Sequence, residues 1–261
     1  MSRSHRRQQM RTKEEWEKWY VQSNPWGTIG SDKDIVRTDL LLGRLRYARF
    51  VNILDLGCGE GQQTNAFSKF AENTIGIDIA GNAIERAQSQ FPHIRFQQGE
   101  LLDVIKDPQI AQTPFDFISL SEVLYYFQTD EERHAALSGV ARIGAPACLY
   151  YFSVIVTGAS KYRRYFTHDE FVEMLSEHFQ VIDCFASVAD LSRLLRILRP
   201  LIPSRRMRLE LLRAWTVTRK PDACRHAGYF AVKRATQQRV ESQSALSAER
   251  DVHGLRGVGA G

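Results

Sequence analysis

The stretch ILDLGCGEGQQ, from Ile53 to Gln63, decides the fold of this chain because it joins an apolar run to a glycine-rich loop. The run FVNILDL ahead of the loop predicts a buried strand, and QQTNAF after it predicts the start of a helix. Glycine lets a backbone come close to a ligand and adopt positive φ without steric cost. We therefore expect a ligand to lie against the main chain at Gly57, Gly59 and Gly61.

Strands and helices alternate along the chain around this loop. Apolar, β-branched and aromatic runs predict the strands, and amphipathic stretches, two of them capped by Thr129 and Thr167, predict the helices. The predicted strands are 50–57, 74–80, 94–101, 115–123, 147–156, 180–188 and 227–235, and the predicted helices are 32–46, 62–72, 81–91, 129–143 and 167–179. Such alternation predicts an α/β fold, with a mostly parallel, seven-stranded sheet and helices on both faces.

The composition is that of an ordinary globular protein. Of 261 residues, 43% are hydrophobic and 25% are charged, and no apolar run approaches the ~20 residues of a membrane span. The basic N-terminus lacks the apolar stretch of a secretory signal, so we expect a cytoplasmic location. The four cysteines are scattered without a CxxC pair, which argues against a zinc site or a disulfide framework, and we expect no metal.

The pattern divides the chain into three regions. Residues 1–48 predict an N-terminal helical lid, in which the turn NPWGTIGS separates two helices. Residues 49–236 are expected to form the α/β domain, with a basic helical insertion at 190–226. Residues 237–261 are polar, small and unpatterned, which predicts a disordered tail.

The spacing of the glycines narrows the kind of ligand. A nicotinamide dinucleotide loop would place its third glycine where Gln62 stands, and a phosphate loop would need a lysine that is absent. The observed pattern is D-x-G-x-G-x-G, beginning at Asp55. It resembles motif I of the class I S-adenosylmethionine (SAM) methyltransferases, and the resemblance extends roughly over residues 50 to 235. It implies a Rossmann-like fold and SAM as the cofactor.

The resemblance implies roles for residues at the ends of the next three strands. Asp78, 21 residues after Gly57, would accept both ribose hydroxyls, and Glu100 would accept from the adenine amino group. The segment SLSEVLYYF would line the methyl-transfer site, with Glu122, Tyr125 and Tyr126 as the implied catalytic residues. The implied cofactor-binding residues are Trp26, Asp55, Gly57, Cys58, Gly59, Gly61, Asp78, Ile79, Glu100, Leu101 and Ser121.

Structural roles remain open for several of these side chains. Asp55 could cap a turn, Cys58 is more often a packing residue than a reactive thiol, and Trp26 could belong to the core. One of the two tyrosines of SLSEVLYYF is better explained as a core aromatic. Glu122 could be a solvated residue at the start of a helix.

Two segments indicate which subgroup of these methyltransferases the chain resembles. SNPWG (residues 23–27) ahead of motif I and SEVLYYF after the fourth strand are similar to the nodulation-type N-methyltransferases, which methylate an amino sugar at the end of a chito-oligosaccharide. This similarity implies a small-molecule or saccharide substrate. It also implies a lid that closes over the cofactor, with Trp26 as a contact and Gly27 and Gly30 as hinges.

An amine acceptor must be neutral to attack a methyl group. Glu122 would bind the ammonium and take its proton, directly or through water, and Tyr125 or Tyr126 would orient the same group. The D/N-P-P-Y/F stretch of enzymes that methylate adenine or glutamine is missing, which disfavours a planar nitrogen acceptor. An amine is favoured, and O-methylation of a small metabolite remains an alternative.

The basic insertion is open to three interpretations. Residues 191–225 carry nine arginines and one lysine against Glu210 and Asp222. They could bind nucleic-acid phosphates, as in an RNA methyltransferase, rest on anionic lipid, or form a helical cover whose leucines pack on the sheet. For the whole chain, a non-catalytic SAM-binding scaffold is a further alternative, although every expected cofactor position is filled.

Overall fold

The computed structural model describes residues 12–27, 29–156, 165–188, 202 and 204–234. Its strands are β1 Phe50–Leu56, β2 Ala71–Asp78, β3 Arg95–Gln98, β4 Phe115–Ser121, β5 Gly144–Ile155, β6 Phe179–Val188 and β7 His226–Lys233. They form a seven-stranded sheet in the order β3-β2-β1-β4-β5-β7-β6. Neighbouring strands are parallel, except that β7 runs antiparallel to β5 and β6. The predicted seven-stranded, mostly parallel sheet is confirmed.

Helices cover both faces of this sheet. Ile53 and Leu54 are neighbours on β1, and both are fully buried. Because successive side chains of a strand point to opposite faces, each face must carry its own layer. The helices are α1 Lys13–Trp19, α2 Asp32–Leu45, α3 Gln62–Phe67, α4 Gly81–Gln90, α5 Leu101–Val104, α6 Pro108–Gln112, α7 Asp130–Ile143, α8 His168–Ser176 and α9 Arg205–Val217.

The strand order reverses at the centre of the sheet. Strand β1 pairs with β2 on one side and with β4 on the other, and all three strands run in the same direction. In such sheets a crevice opens beyond the carboxyl ends of the strands, where the connections leave toward opposite sides. The three strands end at Leu56, Asp78 and Ser121, so the glycine loop and the predicted fourth-strand residues meet at one edge.

Local signals predicted several helix starts correctly. Thr129 and Thr167 are the N-cap residues of α7 and α8, and each forms a reciprocal capping box, with Glu132 and Glu170 respectively. Helix α2 was expected over 32–46 and is found at Asp32–Leu45.

The segment after the glycine loop differs from the prediction. Helix α3 ends at Phe67, a 3-10 turn follows at Ser68–Phe70, and β2 begins at Ala71 rather than at residue 74. The early start comes from tertiary pairing, since Ala71 lies opposite Phe50 of β1. Strand pairing of this kind overrides a weak local helix pattern.

The third strand is also shorter than predicted. It ends at Gln98, and the backbone then turns into the short helices α5 and α6, which the sequence pattern did not predict. The start of α6 nevertheless has a recognisable signal, because Asp107 caps it and Pro108 occupies its first turn.

Helix α2 packs on the sheet itself. Its residues Leu41 and Leu45 share a buried cluster with Ile53 and Phe117 on one face. These contacts make the second helix of the expected lid (1–48) a layer of the α/β fold.

Some expectations concern residues outside the described ranges. They are the basic start at 1–11, the leucine- and arginine-rich run at 189–201, and the tail at 237–261. Among the helices that the structure describes, none has both the length and the apolar character needed to cross a bilayer.

Candidate active site

The glycine loop follows β1 and uses left-handed backbone at each glycine. The φ angles are 77° at Gly57, 54° at Gly59 and 82° at Gly61, a region that side chains with a Cβ rarely adopt. A Cβ at Gly57 would also collide with the Val123 side chain, and a Cβ at Gly61 would lie 2.7 Å from the Phe96 ring. The fold itself therefore requires glycine at two of these positions, independently of a ligand.

Asp78, at the end of β2, holds the loop from the side of the crevice. Its carboxylate accepts hydrogen bonds from the backbone N–H of Gly59 at 2.9 Å and of Ala80 at 3.0 Å. Burial raises the pKa of this carboxyl group. A carboxylate has about four lone-pair positions, so two backbone bonds leave room for the hydroxyl groups of a ligand.

Asp55 and Cys58 face the protein interior. Asp55 is 1% exposed and accepts a hydrogen bond of 2.6 Å from the Thr64 hydroxyl. Burial raises its pKa to about 6. The Cys58 side chain lies in an apolar cluster with Ile94 and Phe96, and burial raises the pKa of its thiol well above the usual value. These contacts support the structural interpretation of both side chains.

The remaining predicted cofactor residues lie along the same edge. Ile79, Leu101 and Ser121 are half-buried, whereas Glu100 is exposed and precedes α5. The end of β3 is tied to β2 by a backbone bond of 2.9 Å from Gly99 N to the Asp78 carbonyl. The structure thus brings the second- and third-strand acids to one side of the crevice.

Helix α1 is anchored beside this edge by Glu17. The Glu17 carboxylate accepts from the backbone N–H groups of Gly81 at 2.7 Å and of Asn82 at 3.0 Å. It also accepts from the Gln98 side chain at 2.9 Å. The anion therefore satisfies free donors at the positive end of α4. Sequence reasoning missed Glu17, since nothing distinguishes it from the other two glutamates of this short helix.

A second anchor joins the N-terminal segment to the glycine loop. Glu60, within the loop, is 6% exposed and forms an ion pair of 2.6 Å with Arg86. The same carboxylate accepts from the backbone N–H of Asn24 at 3.0 Å, and Arg86 donates to the Tyr20 carbonyl oxygen. The segment that contains SNPWG is thus held across the loop.

Contacts between aromatic side chains connect the N-terminal segment to the residues that follow β4. The Trp26 indole N–H donates to the Tyr20 hydroxyl at 2.9 Å, and Tyr20 is 5% exposed. Trp16 meets the Tyr126 ring edge-on, with ring centroids 4.8 Å apart, and the Trp26 and Tyr126 centroids are 6.4 Å apart. Residues 12–27 therefore lie against the glycine loop and the residues after β4, with Trp26 half-buried in this cluster.

Glu122, directly after β4, has a strained backbone and a fully bonded side chain. Its φ of 61° is unusual for a residue with a Cβ, and its N–H donates to the Ser153 carbonyl oxygen at 2.8 Å. Its carboxylate accepts from the Ser153 hydroxyl at 2.6 Å and from the Tyr125 hydroxyl at 2.9 Å. The His226 ring nitrogen Nδ1 lies 3.1 Å from the same carboxylate.

These neighbours hold Glu122 in its ionised form. Burial alone would raise the pKa of its carboxyl group, but the charge and hydrogen bond of His226, with Arg37 and Ser153, lower it to about 2. A group with so low a pKa binds a cation well and takes up a proton poorly near neutral pH. The geometry therefore favours Glu122 as an anion that attracts and orients, over the proton-accepting role expected from the sequence.

The two predicted tyrosines have different surroundings. Tyr125 is buried, bonded to Glu122, and burial raises the pKa of its hydroxyl well above the usual value. Tyr126 is half-buried and contacts the aromatic residues of the N-terminal segment. Tyr125 is thus the core aromatic of the pair, and Tyr126 packs against Trp16 and Trp26 of the N-terminal segment.

Sequence reasoning missed His226, Ser153 and Arg37. Ser153 lies opposite Ser121 in the register of β4 and β5, and His226 lies opposite Ile155 in that of β5 and β7. His226 is 104 residues from Glu122 along the chain. No short motif joins these positions, and only the strand order β4-β5-β7 brings them together.

Three arginines in the described part of the basic insertion pair with acids of helix α2. Arg205 and Arg208 of α9 lie 3.2 and 3.8 Å from the Asp32 carboxylate. Arg213 forms an ion pair with Asp39. Because these arginines are engaged by α2, the contacts favour the helical-cover interpretation for residues 205–217.

Comparison with known proteins gives partial matches in sequence. Residues 53–147 match the family described as a methyltransferase domain. Nodulation protein S of Rhizobium tropici is 28% identical over 129 residues, which are 47% of this chain and 51% of that protein. The dTDP-3-amino-3,4,6-trideoxy-alpha-D-glucopyranose N,N-dimethyltransferase of Streptomyces venezuelae is 25% identical over 100 residues, 38% of this chain and 40% of that one. The chain spans about half the length, or less, of the curated relatives it matches.

Solved structures share the fold over a longer range. The N-methyltransferase NodS of Bradyrhizobium japonicum WM9, in complex with S-adenosylhomocysteine (SAH), matches with a TM-score of 0.63 at 17% identity, covering 87% of this chain and 100% of that chain. A TehB-like SAM-dependent methyltransferase of Corynebacterium glutamicum matches with a TM-score of 0.57 at 19% identity, covering 85% of this chain and 100% of that chain. At these identities the likeness concerns the fold.

Proposed function

We propose that this chain transfers a methyl group from SAM to a small-molecule or saccharide acceptor, with an amine favoured. Residues 53–147 match the methyltransferase domain family, and the sheet has the fold of solved methyltransferases. The observation that carries the proposal is the pairing of the glycine loop with Asp78 at the edge where the strand order reverses. This is the place where open α/β sheets bind nucleoside ligands.

The contacts of Asp78 suggest how the cofactor would be held. The carboxylate is fixed by Gly59 and Ala80, and its remaining lone pairs would accept the ribose hydroxyls. Glu100, exposed at the end of the third strand, would accept from the adenine amino group. A cover formed by residues 12–27, with Trp26, would then keep water from the reacting atoms.

Positioning is the chief contribution expected of the protein. A sulfonium is already an activated methyl donor, so the acceptor lone pair has to be placed in line with the methyl–sulfur bond. Placement of this kind can supply roughly 7–11 kcal/mol of the barrier.

Two observations support an amine as the acceptor. The pKa of the Glu122 carboxyl group is lowered to about 2 and the Glu122 side chain is 18% exposed, so an ammonium group would be attracted to it. Two relatives, nodulation protein S and the N,N-dimethyltransferase, match part of this chain, and the latter acts on nitrogen by its name.

Calorimetry with SAH on the full chain tests the cofactor assignment directly. Micromolar binding is expected, and absence of heat exchange would overturn the proposal. A screen of amines, amino sugars and phenols for methyl uptake from labelled SAM then tests the acceptor class. Methylation confined to phenols would contradict the amine preference and keep the methyltransferase assignment.

A further inference from the structure

His226 is the first residue of strand β7. The strand order β4-β5-β7 brings its side chain next to that of Glu122. Its side chain is 19% exposed, close to the 18% of Glu122, so the pair is neither sealed in the core nor free in solvent. Its main chain is fixed by pairing with Ile155 of β5 and Val188 of β6. The imidazole is therefore held in place beside the predicted methyl-transfer residues.

The hydrogen bond between the two side chains determines the tautomer of His226. An ionised carboxylate has no proton to donate, so Nδ1, which lies 3.1 Å from the Glu122 carboxylate, must carry the shared proton. In a neutral imidazole the other nitrogen, Nε2, is then left with a lone pair. A carboxylate that orients a histidine through Nδ1–H in this way is a common arrangement at sites of proton transfer.

The rest of the Glu122 environment prevents it from taking the proton itself. The hydroxyls of Ser153 and Tyr125 donate to its two carboxylate oxygens. Arg37 of α2 adds a positive charge nearby, as does His226 itself when protonated. In the described part of the chain, the charged or titratable groups that face the pair are Arg37, Tyr125 and Tyr151, together with the two partners.

We propose that His226, oriented by Glu122, accepts through Nε2 the proton that the amine acceptor must lose before methyl transfer. This inference rests on the proposed function and assigns the proton acceptor of that reaction. The imidazole is suited to the task because its second nitrogen, Nε2, offers a lone pair to a proton donor when Nδ1 carries the shared proton.

The step balances without a further reactant. The acceptor ammonium gives one proton to Nε2 and becomes a neutral amine. The nitrogen lone pair then forms the new nitrogen–carbon bond as the carbon–sulfur bond breaks, and the electron pair of that bond stays on sulfur to give SAH. The product is a methylated ammonium, and the imidazolium releases its proton to water before the next cycle.

Nuclear magnetic resonance of the histidine rings tests the tautomer without an acceptor. The chain has 7 histidines, and the signals of His226 are identified in ¹⁵N-histidine-labelled full chain by their loss in His226→Gln. We expect the neutral ring to show Nδ1 protonated and Nε2 bare, and Glu122→Gln to change this pattern. A neutral ring protonated at Nε2 would overturn the inference.

Turnover with glucosamine as the acceptor tests the role in proton transfer. At about pH 7, His226→Gln should lower the rate of methyl uptake roughly 100-fold with unchanged SAH affinity. At about pH 9 the loss should shrink to under about 10-fold, because the amine then loses its proton to the solvent. A merely structural role would give a loss that does not depend on pH.

A matched control is His168→Gln. His168 is also half-buried and its Nδ1 lies 3.0 Å from the Tyr229 hydroxyl, but it contacts neither Glu122 nor the crevice edge. The His168→Gln variant should keep the wild-type rate.

If the wild type fails to bind SAH, the proposed function fails. If SAH binds and His226→Gln methylates glucosamine as fast as the wild type at about pH 7, or if no amine is methylated, only the inference about His226 and the amine fails.

Discussion

The Glu17 carboxylate accepts a hydrogen bond of 2.7 Å from the backbone N–H of Gly81, 64 residues further along the chain. This bond and the neighbouring one from Asn82 place an acid of the N-terminal segment on the first turn of α4, beside the crevice. The segment is thereby attached to the element that follows Asp78, so closing the cover and ordering the cofactor edge are expected to be coupled.

Replacing Glu17 should loosen the cover without unfolding the domain. Loss of an N-cap-type interaction costs about 1 kcal/mol, so Glu17→Ala should speed backbone hydrogen exchange in residues 12–31 and leave the sheet protected. Affinity for SAH should fall about 5-fold, as that free energy implies. Glu14→Ala, at an exposed position of the same helix, is the control. Equal exchange in both variants would contradict the role of Glu17.

Asp78→Ala should abolish measurable binding of SAH. The substitution removes the expected ribose acceptor and the bond that holds Gly59 in place. Calorimetry measures the affinity, and circular dichroism shows whether the fold is retained. Asp103→Ala, at an exposed position of the neighbouring helix α5, controls for the loss of one negative charge. A folded Asp78→Ala protein that binds SAH like the wild type would show that Asp78 does not hold the cofactor.

Glu122→Gln should separate binding from turnover. The amide keeps the size of the side chain but loses the charge that attracts an ammonium and orients His226, so turnover should fall about 10- to 100-fold. The affinity for SAH should change less than about 3-fold, because no predicted adenosine contact is lost. Glu131→Gln, exposed on α7, serves as the control. Turnover at the wild-type rate would refute the role assigned to Glu122.

Asp55→Asn should stabilise the protein at neutral pH and not at acid pH. Burial raises the pKa of Asp55 from 3.8 to about 6, so the folded state binds this proton more tightly than the unfolded chain does. Stability from this group is present below about pH 4 and is lost as the pH rises through about 6. The change in unfolding free energy caused by Asp55→Asn should therefore be more favourable at neutral than at acid pH by on the order of 2–3 kcal/mol.

Denaturant titrations of wild type and Asp55→Asn at about pH 4 and about pH 7.5 measure this difference. Asp103→Asn, at an exposed position, provides the comparison for a carboxylate in water. A stability change for Asp55→Asn that is the same at both pH values would show that the buried carboxyl group is not strained in the folded state.

The local sequence was enough to predict those structural features that have a local physical cause. The glycine loop was predicted because positive φ selects glycine, and Thr129 and Thr167 were predicted as caps because a hydroxyl satisfies free N–H groups of the first turn. The strand β1 was predicted because a strand buried on both faces is apolar along its length. The predicted boundaries of helices and strands were wrong where strand pairing extended a strand, as at Ala71.

The sequence by itself determined the fold class, the strand that leads into the loop and the acids expected to hold a nucleoside, because each depends on the spacing of residues within one element and its turn. Only the tertiary structure decided that Glu122 is bonded to His226, that Glu17 reaches α4, and that the arginines of α9 face Asp32 and Asp39. These contacts join residues far apart in the chain, and their existence follows from the order of strands in the sheet and the packing of helices on its faces.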